Sequence, residues 1–196
     1  MPKNPALIFL AAFLVNNILL IRYIGLCPFF GVSTSLNTAF GMSAAVLFVM
    51  LLAAWVTWFV FHLVLLPLNL VFLRTAAFIL VIATLVQFVE MFLKKSYRAL
   101  YSAMGIYLPL ITTNCAILAV TFLNIDYRYN LLQATIFALG TGLGFALVII
   151  LFSALRERLD YAPITRSLRG YPIAFIAASL VSLAFLGFVG LFGLSL

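Results

Sequence analysis

The chain has 196 residues, of which 67% are hydrophobic and only 8% are charged, and its formal net charge is +7. A soluble protein needs polar and charged residues to cover its surface, so this composition excludes an ordinary soluble domain. The basic residues lie between long apolar runs, where they set membrane orientation, and we do not expect nucleic acid as a partner.

Six apolar runs predict an all-α integral membrane protein, a single transmembrane domain over residues 1–196 with six transmembrane helices. The first run is too long for the apolar core of a signal peptide, so we expect it to be retained. The predicted spans, in chain order, are Pro5–Leu26, Ala39–Phe61, Leu70–Leu93, Leu100–Leu123, Leu131–Leu155 and Tyr171–Leu191.

The distribution of lysine and arginine predicts that both termini lie outside the cytoplasm. Eight basic residues fall at or after the ends of spans one, three and five, and three fall on the other side. Because basic residues concentrate on the cytoplasmic side, the larger group should be cytoplasmic. The larger group is Arg22, Lys94, Lys95, Arg98, Arg156, Arg158, Arg166 and Arg169, and the smaller is Lys3, Arg74 and Arg128.

A faint internal repeat relates the two halves of the chain, about residues 1–96 and 97–196. Leu73-Arg74 recurs as Leu168-Arg169 at an offset of 95 positions. Each half holds three spans, an odd number, so we predict two inverted three-helix repeats. Inverted repeats whose interrupted helices meet near the midplane are a known way to build a site inside a membrane.

The chain has two cysteines, and each lies beside residues that disturb a regular helix. Straight helices would place the two sulfurs roughly 20 Å apart in depth. If both serve one site, spans one and four must therefore be interrupted near the cysteines, with their free backbone groups satisfied by nearby polar side chains such as Asn16 and Asn17. Gly25, Leu26, Pro28 and Gly31 surround Cys27, and Pro109, Thr112, Thr113 and Asn114 precede Cys115.

From these residues alone, three interpretations of the cysteines remain open. Composition favours two buried apolar thiols, which cysteine often supplies. A disulfide fits poorly with a site at membrane depth. Metal ligation is favoured by the irregular backbone, whose amides stabilise thiolate charge. An iron–sulfur cluster takes four cysteines in most proteins, so a cluster here would need two more from a partner chain.

The remaining polar residues have simpler interpretations. His62 should be an interfacial residue at the outer end of span two, and Asp126 and Arg128 should form a pair within a loop. The Gly140-x-x-x-Gly144 spacing indicates close approach of another helix, since no strand or Lys-Ser/Thr pair supports a phosphate loop. We find no catalytic triad, carboxylate pair or nucleotide-binding fingerprint.

The two cysteine motifs and the segments around them resemble the RnfA branch, also called RsxA, of the RnfA/NqrE family of membrane subunits. The NqrE branch typically has threonine where this chain has Pro28 and valine where it has Thr113, so both positions favour the RnfA branch. The resemblance covers nearly the whole chain. Its motifs are Asn16-Asn17, Gly25–Phe29 with Gly31–Ser33, Ala77–Ala83, Leu108–Ala116 and Arg156–Leu159.

The resemblance implies a subunit of an Rnf-type complex, which passes electrons between ferredoxin and NAD and couples this to Na⁺ or H⁺ translocation. It implies a [2Fe-2S] cluster with Cys27 and Cys115 as two ligands and two more from a homologous subunit of opposite topology, similar to RnfE. Gly25, Leu26, Pro28, Thr112, Thr113 and Asn114 would lie beside these ligands. Further partners would be subunits of the B, C, D and G types, in a bacterial or archaeal cytoplasmic membrane.

Three alternatives remain at this point. The chain could be the NqrE-type component of a Na⁺-pumping NADH:quinone reductase. A secondary transporter could use the same interrupted helices to bind a solute or an ion. A purely structural membrane component could support its neighbours. Iron in the assembled complex separates the redox subunits from the last two.

Overall fold

A computed structural model describes residues 4–33, 35–96, 114–163, 165 and 168–187, and this part of the chain is helical, without strands. The helices are α1 (Pro5–Leu10, continued by a π-helical turn, Ala11–Val15), α2 (Leu26–Val32), α3 (Leu36–Val60, continued by a π-helical turn, Phe61–Leu65), α4 (Arg74–Ser96, preceded by a 3-10 turn, Val71–Leu73), α5 (Cys115–Asp126), α6 (Leu131–Asp160) and α7 (Tyr171–Leu186).

Every predicted apolar run contains a helix, and three of the described helices are long and apolar enough to cross a membrane. These are Leu36–Leu65, Val71–Met91 and Leu131–Leu159, with mean hydropathies of 2.4, 2.1 and 2.3. The other apolar helices, α1, α5 and α7, are shorter within the described residues. The all-α membrane character is confirmed, whereas the six-span inverted repeat stays a prediction.

The core is built on α3 and α6, which pack side by side in opposite directions. Trp55 Nε1 donates a hydrogen bond to Thr135 Oγ1 at 2.9 Å, and Trp58 Nε1 donates to the Tyr129 carbonyl at 3.1 Å, so α3 ends where α6 begins. The fully buried side chains of this pair include Met42, Met50, Phe145, Ile149 and Phe152. The shorter helices pack around this pair.

Successive helices run in opposite directions. Arg74, at the start of α4, pairs with Asp126, at the end of α5, at 2.7 Å. Tyr171, at the start of α7, lies against Arg156 near the end of α6. We call these two ends of the bundle the Asp126 end and the Arg156 end. The predicted pairing of Asp126 with Arg128 is therefore wrong, because α4 brings Arg74 to this carboxylate.

Span one is not one helix over Pro5–Leu26. It ends in the π-helical turn at Val15, continues without regular helix through Asn16–Gly25, and resumes as α2 at Leu26. The predicted interruption is present, but it precedes the cysteine, and Pro28 does not cause it. Pro28 occupies the third position of α2, where a missing backbone N–H costs no helical hydrogen bond.

Arg22 lies at the Asp126 end, not at the end where the charge distribution placed it. Its Nη2 donates to Tyr127 Oη at 2.8 Å, and Tyr127 directly follows α5. The irregular segment turns back toward α5 before α2 begins, and the assumption of a straight helix could not anticipate that turn. Moving Arg22 changes the basic residues from eight against three to seven against four, which keeps the direction of the bias.

The close approach predicted for the Gly140-x-x-x-Gly144 spacing is confirmed, and α1 is the helix that approaches. A Cβ on Gly140 would lie 2.9 Å from the Phe9 carbonyl oxygen, and one on Gly144 would lie 2.7 Å from that of Phe13. Any side chain at either position would push α1 away from α6. This contact fixes the position from which the irregular segment departs.

The remaining helix boundaries differ modestly from the predicted ones. α3 begins at Leu36 and α6 continues to Asp160, one turn beyond the apolar run, because a helix can extend past the hydrocarbon layer with charged residues. α6 begins with a capping box formed by Asn130 and Gln133. Span four is described only from Cys115 onward, so Pro109 lies outside the described residues.

Candidate metal centre

The interruption of span one brings the two cysteine motifs into contact. The backbone N–H of Gly25 donates a hydrogen bond to Cys115 Sγ at 3.1 Å. Ninety positions of chain separate these residues, and straight helices would have kept their motifs far apart in depth. The fold therefore joins the beginning of α2 to the beginning of α5, as a shared site requires.

Gly25 makes this contact possible because it has no side chain. Its φ is +96°, in the left-handed region that glycine adopts readily. A Cβ there would lie 3.0 Å from Phe145 Cε2 and 3.2 Å from Ala116 Cβ. The close approach and the backbone conformation both require glycine at this position.

Asn17 satisfies backbone groups that the interruption leaves free. Its Nδ2 donates to the carbonyl oxygens of Phe13 and Gly144, at 3.3 and 3.0 Å, and its Oδ1 accepts from the Leu19 N–H at 3.1 Å. The predicted role is confirmed for Asn17. Asn16 differs, because its Oδ1 accepts from Arg22 Nε at 3.4 Å and so receives a side chain instead of the backbone.

Both cysteines occupy the first turn of a helix. Cys27 is the second residue of α2 and Cys115 is the first of α5. Backbone N–H groups in a first turn have no partner within the helix, and they give that end a partial positive charge. Both features favour a thiolate over a thiol. Within the described part of the chain both cysteines are free and exposed.

Asn114 begins α5 beside Cys115. Its Oδ1 accepts from the Ala116 N–H at 3.0 Å, which caps the helix. Its Nδ2 is buried and has no hydrogen-bond partner. Leu26 and Pro28 flank Cys27 in the chain and lie in the same first turn of α2. Thr112 and Thr113, predicted to lie beside the ligands, fall outside the described residues.

Arg156 holds the other end of α2, a role that its position in a basic cluster did not reveal. One nitrogen, Nη1, donates to the Phe30 carbonyl at 3.0 Å and to Ser33 Oγ at 2.9 Å. Beside it, the Phe29 ring stacks on Phe152 of α6 at 4.2 Å between centroids. These contacts fix the helix that carries Cys27 onto α6.

The donor set fits half of a four-sulfur group. Two thiols at helix starts are suitable ligands for a soft metal, and their exposure leaves room for donors from another chain. Among the described residues no group of three or more His, Cys, Asp or Glu is close enough to hold a metal ion. The aromatic side chains of α2 and α6 keep one side of this region apolar.

Comparison with known proteins gives a consistent result. The model of a family described as "Rnf-Nqr subunit, membrane protein" matches residues 6–192. Relatives named as the A-type subunit of an ion-translocating oxidoreductase complex are 53% identical in Syntrophotalea carbinolica (96% of this chain, 98% of the relative) and 52% identical in Shigella boydii and in Pectobacterium atrosepticum (94% and 95% of this chain, 96% of each relative). The chain therefore belongs to the Rnf-Nqr family of membrane subunits.

Proposed function

We propose that this chain is the A-type membrane subunit of an Rnf-type ferredoxin:NAD oxidoreductase complex that couples electron transfer to Na⁺ or H⁺ translocation. The relatives' shared name supports a role within an ion-translocating oxidoreductase complex. One observation carries the more specific part of the proposal. The Gly25 N–H···Cys115 Sγ hydrogen bond joins the two cysteine motifs, and both sulfurs stay exposed to a second chain.

Cys27 and Cys115 would supply two of the four ligands of a [2Fe-2S] cluster, and a homologous membrane subunit of opposite topology, similar to RnfE, would supply the other two. When bound, such a cluster accepts and releases single electrons. The chain's own residues would hold the sulfurs at two helix starts. The Gly25 N–H stabilises negative charge on one sulfur, and a hydrogen bond of this kind raises the reduction potential.

The chain would lie in the cytoplasmic membrane with both termini outside and would assemble with subunits of the B, C, D and G types. The lysine and arginine bias supports this orientation, with the Arg156 end cytoplasmic. Arg156 binds the last carbonyls of α2, so it links the site to the cytoplasmic end of α6. No catalytic residue is assigned to the chain itself, whose contribution is a fixed path for electrons.

Replacement of either cysteine by serine in the intact complex tests the ligand assignment. We expect Cys27→Ser and Cys115→Ser each to remove the intramembrane cluster's EPR signal, reduce the iron content and stop ferredoxin–NAD electron transfer. Serine is nearly isosteric but is a harder and far less acidic ligand for iron. Insertion should be unchanged because the apolar spans are intact.

Met91→Leu is the control, because it removes an exposed sulfur from α4 and should leave iron, signal and activity unchanged. Full activity and iron in either serine variant, at normal complex yield, would disprove the ligand assignment. A residual cluster with slower transfer would indicate serine ligation. An intact wild-type complex with no iron assigned to this membrane region would instead favour a transporter or a structural role.

A further inference from the structure

At the Asp126 end, away from the cysteines, an open cavity lies between the α3–α4 connection and the α5–α6 connection. Its volume is about 1080 Å³ including its open mouth. Its lining is formed by Phe61, His62, Leu66, Val71, Arg74, Asn124, Ile125, Asp126, Arg128, Tyr129 and Asn130. Neither the proposed redox function nor the family comparison gives this cavity a role.

A buried amide in the wall of the cavity indicates a ligand. Asn124 is only 2% exposed, and neither its Oδ1 nor its Nδ2 has a hydrogen-bond partner. An unsatisfied buried polar group costs about 1–3 kcal/mol, and here the donor and the acceptor of one side chain are both unsatisfied. A ligand that reaches Asn124 from the cavity would remove this cost.

The charges on the lining favour an anionic group. Arg74 is neutralised by Asp126 at 2.7 Å and also lies over the Phe122 ring, at 4.8 Å from its centroid. The side chain of Arg128 is exposed and has no ion-pair partner in the described part of the chain. With His62 neutral, the lining therefore carries one excess positive charge. A guanidinium of this kind suits phosphate oxygens.

The surface beside the cavity favours an amphiphile over a free ion. The α3–α4 connection exposes a continuous run of apolar side chains, and the most exposed is Phe72, at 81%. Two members of the lining, Leu66 and Val71, belong to this run. An apolar surface joined to a cationic cavity at the end of a membrane bundle matches acyl chains joined to a headgroup.

We propose that this cavity binds the phosphate-bearing headgroup of a membrane phospholipid, with Arg128 on the phosphate, Asn124 hydrogen-bonded to the headgroup and the acyl chains on the apolar α3–α4 connection. The lipid would join the α3–α4 and α5–α6 connections at one end of the bundle. Such a site is independent of the cysteines, and its test requires no redox activity.

The test uses the intact complex, delipidated in detergent and titrated with phosphatidylethanolamine or phosphatidylglycerol while bound lipids are counted by native mass spectrometry. The informative variants are Asn124→Leu, which removes the amide without leaving a polar atom, and Arg128→Asn. Asparagine tolerates the left-handed φ of +52° at that position better than most residues. Arg169→Gln, an exposed cation at the Arg156 end, is the matched control.

We expect the wild-type complex and the Arg169→Gln control to bind one phospholipid per chain that both cavity variants bind about tenfold more weakly, at normal complex yield. Equal binding in all four proteins, or no variant-sensitive lipid in the wild type because another protein of the complex fills the cavity, would overturn the proposal. Displacement of the lipid by inorganic phosphate at the same concentration would show a free-anion site and would also overturn it.

Discussion

Cys27 and Cys115 both begin helices, but the two helices are held in different ways. α5 has twelve residues and caps itself, since Asn114 Oδ1 accepts the Ala116 N–H. α2 has seven residues, and Gly25 at its start offers no side chain to cap it. A helix of seven residues is unstable by itself in water, and the position of α2 must come from tertiary contacts.

The contacts that hold α2 come from α6. The Phe29 ring stacks on Phe152, and Arg156 binds the Phe30 carbonyl. The two halves of the proposed ligand pair therefore depend on different parts of the sequence. Changes in α6 should displace Cys27 more than Cys115, whereas changes at Asn114 should act locally on α5.

Gly25→Ala should produce the largest effect of the variants that separate these two modes. Alanine in the left-handed region costs about 1–2 kcal/mol, and its Cβ would press on Phe145 and Ala116, which adds about 1–3 kcal/mol. We expect a clear fall in the unfolding temperature of the chain in detergent. We also expect a changed ratio of maleimide labelling between Cys27 and Cys115, since the N–H···S bond must shift.

Gly170→Ala is the matched control for that variant. Gly170 precedes α7 with a φ of +98°, close to that of Gly25, but a Cβ there would meet nothing within 4 Å. It should therefore show only the backbone cost of about 1–2 kcal/mol and no change in cysteine labelling. Equal losses of stability at the two glycines would mean that the contact with Phe145 contributes nothing.

The sequence was sufficient for features that depend on local composition or spacing. The apolar runs located the helices, and the glycines at 140 and 144 predicted close packing that α1 provides. The interruption of span one was expected from the residues around Cys27, although Pro28 was the wrong cause. A proline three residues into a helix is compatible with it, so its presence alone cannot locate a break.

Features that depend on distant contacts were not predictable from the sequence. Arg22 was placed by its order along the chain, but the irregular segment carries it back to Tyr127. Asp126 was assigned its nearest cation in sequence, whereas Arg74 reaches it from α4. The buried amide of Asn124 has no sequence signal either, because its lack of a partner exists only once the helices are packed.

Arg156→Gln should have an intermediate effect and should act on α2 alone. Hydrogen bonds to a charged group contribute about 1.5–3 kcal/mol, and Arg156 makes two of them, to Phe30 and Ser33. We expect faster maleimide labelling of Cys27 with little change at Cys115, and a fall of about 2 kcal/mol in the free energy of unfolding.

Arg158→Gln, an exposed residue about half a turn further along α6, is the control and should change neither quantity. If Arg156→Gln altered labelling of both cysteines to the same extent, α2 and α5 would move as one unit, and the distinction between them would fail. Arg156→Lys should recover only part of the effect, since lysine lacks the planar geometry that allows one side chain to serve both acceptors.

Asn114→Ala should have the smallest effect, because two changes at this residue oppose each other. The variant removes a helix cap worth about 1 kcal/mol. It also removes a buried Nδ2 with no partner, whose cost is of similar size. Serine keeps a capping oxygen without the buried amide, so Asn114→Ser should be at least as stable as the wild type and more stable than Asn114→Ala. Thermal unfolding in detergent measures this order. If the serine variant were the least stable of the three, Nδ2 would have to make a favourable contact, and α5 would then depend on tertiary contacts as α2 does.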